Sequence, residues 1–159
     1  MAKSGARSLN DEILVGVEAE ILARGLSGCD RNEADRDGRT PLMNAITRGM
    51  TQLSLELIRS GVDFDCRDRD GFSALAFASQ FQQAEVVRAL LAAGANSNIA
   101  DRWGNTPLTK AVYFYRGNGE CVVALLRGGA DPDRKNSHGK SPRDLATTIA
   151  NYDVRKYFE

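Results

Sequence analysis

One phrase occurs four times along this chain: Asp35-Arg-Asp-Gly38-Arg-Thr-Pro-Leu42, Asp68-Arg-Asp-Gly71-Phe-Ser-Ala-Leu75, Asp101-Arg-Trp-Gly104-Asn-Thr-Pro-Leu108 and Asn136-Ser-His-Gly139-Lys-Ser-Pro-Arg143. Gly38, Gly71 and Gly104 are spaced 33 residues apart, and Gly139 follows Gly104 by 35. A second phrase keeps step with the first: Leu57-Ile-Arg-Ser-Gly-Val-Asp63, Leu90-Leu-Ala-Ala-Gly-Ala-Asn96 and Leu125-Leu-Arg-Gly-Gly-Ala-Asp131. A period this short confines the chain to a stack of like units, because a single unit cannot bury its own apolar face.

Each unit reads as turn, helix, turn, helix. Glycine in the first phrase permits the positive φ of a tight turn. Thr40-Pro41, Thr106-Pro107 and Ser141-Pro142 then set a hydroxyl N-cap before a proline at the first helical position. Gly61, Gly94 and Gly129 fall where a left-handed residue closes the second helix. First helices such as Leu75-Ala-Phe-Ala78 are small and suited to close approach, whereas second helices carry larger residues, among them Val86, Val87, Leu90 and Leu91. Upstream, Ser8-Leu-Asn-Asp11 suits a capping box; Ile13, Leu14, Val17, Ile21 and Leu22 follow at helical spacing, ending at Gly25.

The predicted organisation is a capping helix with its connection at 1–34, units at 35–67, 68–100 and 101–135, and a truncated capping unit at 136–159. The third unit carries two extra residues around Tyr115-Arg-Gly-Asn-Gly119, read as a solvated, mobile turn. In the last unit Arg143, Arg155 and Lys156 stand where apolar residues would otherwise face the next repeat, the polar capping that a finite stack requires.

These phrases resemble the ankyrin repeat over Asp35 to about Phe158, which implies an all-α solenoid of stacked helix-turn-helix units with protruding turns. The family's usual histidine after Thr-Pro-Leu is missing: Met43, Ala76, Thr109 and Asp144 stand there. The hydrogen bond by which that histidine ties adjacent loops is therefore expected to be lost. Leu55 and Glu56 look exchanged relative to the family's usual order.

Composition narrows function. With 21 Lys+Arg against 21 Asp+Glu, the chain lacks the cationic excess that non-specific binding to nucleic acid or anionic lipid needs. The longest apolar runs, Ile13 to Val17 and Ala89 to Ala95, fall far short of a membrane span, and the polar, basic start at Met1 to Arg7 precedes no secretory core, so a cytoplasmic location is expected. Cys29, Cys66 and Cys121 form no CxxC pair and read as reduced thiols, with Cys121 a buried small hydrophobe. The only histidine, His138, lies in a turn, and no phosphate loop, His-Glu-x-x-His or Gly-x-Ser-x-Gly occurs. Neither catalysis, a cofactor nor a metal is expected, and Asp35, Asp68 and Asp101 read as turn-capping residues.

A stacked array offers its turn tips and the outer side of its first helices as one concave strip. The resemblance implies contacts from residues flanking the turn glycine and from outward first-helix positions: Arg36, Arg39 and Thr47; Arg69, Phe72 and Gln80; Arg102, Trp103, Asn105 and Tyr113; Ser137, His138 and Lys140. Tyr115 and Arg116 join them from the long turn. Arginine and aromatic residues dominate, as at protein-binding hot spots, and the repeated cations favour an acidic or phosphate-bearing partner. The expectation is a non-enzymatic binder, monomeric when free, that grips one folded protein. Residues 101–120 and 141–154 also resemble small bacterial ankyrin proteins that serve as immunity factors for secreted toxins, which implies a toxin inhibitor; an adaptor joining two or more proteins is the alternative.

Overall fold

A computed structural model describes residues 8–16, 18–148 and 153–159; Met1 to Arg7, Val17 and Ile149 to Tyr152, all used in the sequence reading, lie outside the described residues. Among the described residues there are nine α-helices and no strand. First helices α1 (Leu9–Val15), α3 (Pro41–Thr47), α5 (Ala74–Gln80), α7 (Pro107–Tyr113) and α9 (Pro142–Thr148) pack side by side in one row. Second helices α2 (Glu18–Arg24), α4 (Thr51–Arg59), α6 (Ala84–Ala92) and α8 (Glu120–Arg127) form a row behind them. A 3-10 turn over Arg155–Tyr157 packs against α9.

The helix starts follow from their caps. Thr40, Ser73 and Thr106 have extended backbones and accept the N–H three residues on with their hydroxyls, and Ser141 does the same for Asp144 at 3.1 Å. Each cap satisfies a donor that the first helical turn leaves without a partner. The ends are Schellman closures where Leu90 and Leu125 accept from Ala95 and Ala130, both at 3.0 Å, across left-handed Gly94 and Gly129.

The first helices lie between two neighbours and a second helix, so α5 is buried from Ala74 through Ser79. That is why alanine and serine alternate with larger residues there. The second helices bury one face only, for example Leu53 and Leu57 in α4 and Val86, Val87 and Leu90 in α6, each large side chain contributing about 1.5–3 kcal/mol. Leu55 is buried and Glu56 exposed, so the exchanged pair places its apolar member inward.

Two expectations need correction. The N-terminal cap is a helix pair rather than one helix: left-handed Gly16 closes α1 after the Ser8–Asp11 capping box, and α2 begins at Glu18. The break changes the helical phase, so Leu9, Ile13 and Ile21 are buried while Leu14 and Leu22 face outward. Glu18 then reaches across to accept the N–H of Leu53 at 2.9 Å near the start of α4. The long turn of the third unit is anchored at both ends. Tyr115 is 2% exposed, its ring edge-on to Tyr157 at 6.1 Å, and burial followed by the Tyr157 hydrogen bond pushes its hydroxyl pKa up to about 12. Gly119 is buried so closely beneath the Tyr157 ring that any side chain there would overlap it.

Adjacent turns meet through backbone. Arg69 N–H donates to the Asp37 carbonyl at 3.0 Å, Arg102 to Asp70 at 2.9 Å and Ser137 to Trp103 at 2.9 Å. Gly71 combines φ +84° with a space in which a Cβ would stand 3.0 Å from the Arg102 nitrogen, whereas a Cβ at Gly139, at φ +71°, meets no atom within 4 Å among the described residues. Gly71→Ala is therefore expected to cost about 1–2 kcal/mol for the left-handed backbone plus the displacement of its neighbour, and Gly139→Ala only the former. Urea unfolding of the two variants measures the difference; equal losses would contradict a steric contribution from the neighbouring turn.

Candidate binding face

The turn residue three before each glycine organises its loop. Asp35 Oδ1 accepts from the Asp37 and Arg39 N–H groups at 2.8 and 2.9 Å. Asp68 repeats this with Asp70 and Phe72, Asp101 with Trp103 and Asn105, and Asn136 with His138 and Lys140. The aspartates are thus turn acceptors, and among the described residues no group of His, Cys, Asp or Glu could hold a metal ion.

The second carboxylate oxygen has a different partner in each unit. Asn44 donates to Asp35 at 2.8 Å and also to Asn10 at 2.9 Å, tying the capping pair to the first turn. Arg39 Nε stands 3.6 Å from Asp68 of the following turn, an ion pair too long for a hydrogen bond. Lys110 Nζ lies 3.0 Å from Asp101, with the two side chains 13% and 0% exposed.

Two positions form rows along the rim. One residue after the glycine stand Arg39, Phe72, Asn105 and Lys140; six after it stand Asn44, Phe77, Lys110 and Leu145. The first row packs on the second row of the next unit with the chemistry reversed: Arg39 lies 5.3 Å from the Phe77 ring centre, and Lys110 lies 4.1 Å from that of Phe72. Phe72 also stacks on Phe77 at 5.1 Å and meets the edge of Trp103 at 6.3 Å. Arg102 covers the Trp103 ring at 4.2 Å and pairs with Asp70 at 2.8 Å. One cluster of alternating cations and aromatic rings therefore spans three turns.

This cluster decides which predicted residues face solvent with chemistry to offer. Arg36, Arg69, Arg116, Ser137, His138 and Lys140 are exposed, and Arg36, Arg69, Arg116 and Lys140 enter no ion pair among the described residues. Trp103 is 36% exposed and Tyr113 64% exposed; Thr47, Gln80, Phe72 and Asn105 are half-buried on the same side. Tyr115 is removed from the face by its burial. Arg39 and Arg102 are occupied by Asp68 and Asp70, so the strip is less basic than their number implies. Trp103 both packs across the neighbouring turn and presents part of its indole.

Sequence reasoning missed Lys110, Phe114 and Asn136, which join Asn105, Tyr113, His138, Lys140 and Leu145 around a hollow of about 380 Å³ between the third and fourth turns. A lysine at position 110, in a first helix suited to close approach, was the available signal. Two thiols are held in the protonated form by their surroundings: burial, then Glu120, pushes Cys121 up to about 11, and burial followed by Asp63 and Asp65 raises Cys66.

Lys110→Met is expected to cost about 3–5 kcal/mol in urea unfolding, because it leaves the buried Asp101 carboxylate without its cation, and Asp101→Asn in the same chain is expected to recover part of that loss. Burial works against ionisation of Asp35, but hydrogen bonds from Asn44 and from the Arg39 and Asp37 backbone outweigh it and hold the carboxyl below its ordinary 3.8. A depressed folded value contributes stability above the unfolded value and loses it as pH falls through the folded one. The stability difference between the native chain and Asp35→Asn is expected to be constant above about pH 5 and to shrink below about pH 4; a gap independent of pH would contradict the assignment.

A family model described as ankyrin repeats (3 copies) matches residues 14–101 and 53–136. Oxysterol-binding protein-related protein 1 of Rattus norvegicus and of Mus musculus is 52% identical over 42 residues, and that of Homo sapiens 50%. Those residues are 26% of this chain and 4% of each relative, so the likeness extends to a short stretch of much longer proteins. With helix pairs stacked in two rows, turns joined at each glycine and a family match over most of its length, the chain belongs to the ankyrin-repeat family.

Proposed function

We propose that the chain binds a folded protein through the concave strip formed by its turn tips and the outer side of its first helices. Ankyrin repeats are protein-interaction modules as a family, and the observation that carries the proposal for this chain is the aromatic and cationic cluster around Trp103. Its rings and guanidinium groups are fixed by contact with one another before a partner arrives. Side chains ordered in advance lose less conformational freedom on binding, and Trp and Arg are the residues most often found at energetic centres of interfaces. Arg36, Arg69, Tyr113, His138 and Lys140 flank the cluster as exposed contacts.

The concrete form of this reading is an inhibitor that occludes its partner, such as an immunity factor facing a toxin; its support is the sequence resemblance already described. An adaptor is the second reading. It is favoured by a separate hollow of about 650 Å³ on the opposite side, between α6 and α8, walled by Leu91, Val123 and Ala124 and flanked by the Arg88–Glu120 ion pair.

The test joins affinity capture from the native cell with surface variants. Trp103→Ala with Arg69→Ala is expected to weaken binding of a stoichiometric partner by more than about 2 kcal/mol while leaving helical content unchanged. An unaltered affinity would move the interface off the concave strip. A partner toxic when produced alone and neutralised by this chain supports the inhibitor; two partners held at once, one of them lost on Val123→Asp, support the adaptor.

A further inference from the structure

The hollow between the third and fourth turns has a chemistry unlike the rest of the rim. Lys110, Tyr113, Phe114, His138, Lys140 and Leu145 are among the residues that line it, and none of its lining residues is acidic. The hollow at the N-terminal end of the same face contains Asp11, Glu33 and Asp35. One position contributes to the difference: where the other turns hold Asp35, Asp68 and Asp101, the fourth holds Asn136. Its amide oxygen still accepts the His138 and Lys140 N–H groups at 3.0 and 3.1 Å, and its amide nitrogen donates to Asn105 at 2.8 Å. The turn is preserved while a negative charge is absent.

The pairing of the cations adds a second effect. Arg39, at the register of Lys140, is engaged by the aspartate of the turn that follows it. Lys140 makes no ion pair among the described residues, and, behind the Ser141 hydrogen bonds, its charge acts at longer range to help lower the Asp144 carboxyl. Asp144, nearby in sequence, has its carboxylate on the Ser141 N–H at 3.0 Å, at the start of its own helix. Lys110 is paired with Asp101 but keeps its ammonium at the wall of the hollow. Beside these cations, Tyr113 and Phe114 stand edge to face at 5.2 Å and form an aromatic wall.

We propose that this hollow is a subsite for an acidic segment of the partner protein, receiving one Asp or Glu carboxylate between Lys140 and His138 with an adjoining apolar side chain against Tyr113. This rests on the concave-strip reading and adds the chemistry of what is recognised there. A carboxylate fits better than a phosphate group. Phosphate sites draw on bidentate arginine or on free turn N–H groups, and here the turn N–H groups are filled by Asn136 and no arginine lines the hollow. A carboxylate needs one or two point-charge donors and tolerates an apolar wall.

The experiment titrates the 15N-labelled full chain with two peptides, acetyl-Gly-Phe-Glu-Phe-Gly-amide and its glutamine counterpart, and follows amide chemical shifts. Saturable shifts at Asn105, Tyr113, Asn136 and Lys140 are expected with the glutamate peptide, with affinity up to about fivefold higher than for the glutamine peptide, the scale of one exposed charge pair. Lys140→Gln, at an exposed position, is expected to abolish that difference without altering the rest of the spectrum. Equal responses to the two peptides at these residues would overturn the carboxylate subsite and leave the concave-strip reading standing. Shifts confined to α6 and α8 would overturn both, and no shifts with either peptide would overturn the subsite.

Discussion

The backbone hydrogen bond from one turn to the next is the constraint on which the rest of this molecule depends. It runs from the residue two before one glycine to the carbonyl one before the previous glycine, at 2.9–3.0 Å in all three places. Glycine is needed because the two backbones approach too closely for a Cβ, and the left-handed φ bends the chain so that the carbonyl points along the stack. Since each bond joins equivalent atoms of successive units, the 33-residue period becomes a fixed translation. Side chains at one register then line up in rows, and a row is what a partner meets.

That alignment also sets the electrostatics. When a cation falls beside an aspartate or an aromatic ring of its own or an adjacent unit, its charge is engaged within the stack, as with Arg39, Arg102 and Lys110. Such contacts order the rim, and exposed pairs such as Arg102–Asp70 add at most about 1 kcal/mol to stability. Lys140, in the fourth turn, enters no such ion pair among the described residues. The same logic operates behind the second helices: Asn32, Asp65 and Asn98 accept the N–H groups of Asp63, Asn96 and Asp131 in the next unit at 2.8–3.1 Å, a second ladder that holds the outer turns in step.

The helix pairs, their caps and the turn aspartates were legible in the sequence because local chemistry determines them: a hydroxyl before proline starts a helix whatever surrounds it. The stacking was legible because it follows from the period. The missing histidine, in contrast, implied the loss of one tie between adjacent loops, and the turns are joined by backbone atoms whose pairing no side chain announces. Tyr115 was read as exposed because it sits in an insertion; its burial depends on Tyr157, some forty residues later in the chain. Lys110 and Asn136 escaped notice for the same reason, since their roles are set by a neighbour one period away. Gly16 was visible, but reading Ile13 to Leu22 as one apolar stripe gave the period more weight than the break.

Amide hydrogen exchange of the free chain tests directly whether the rim is one body joined by its turns. The account predicts that the N–H groups of Arg69, Arg102 and Ser137 exchange at least about a hundredfold more slowly than in an unstructured peptide, in step with the first helices they precede. Exchange of these three at unstructured rates while α3, α5 and α7 remain protected would contradict it.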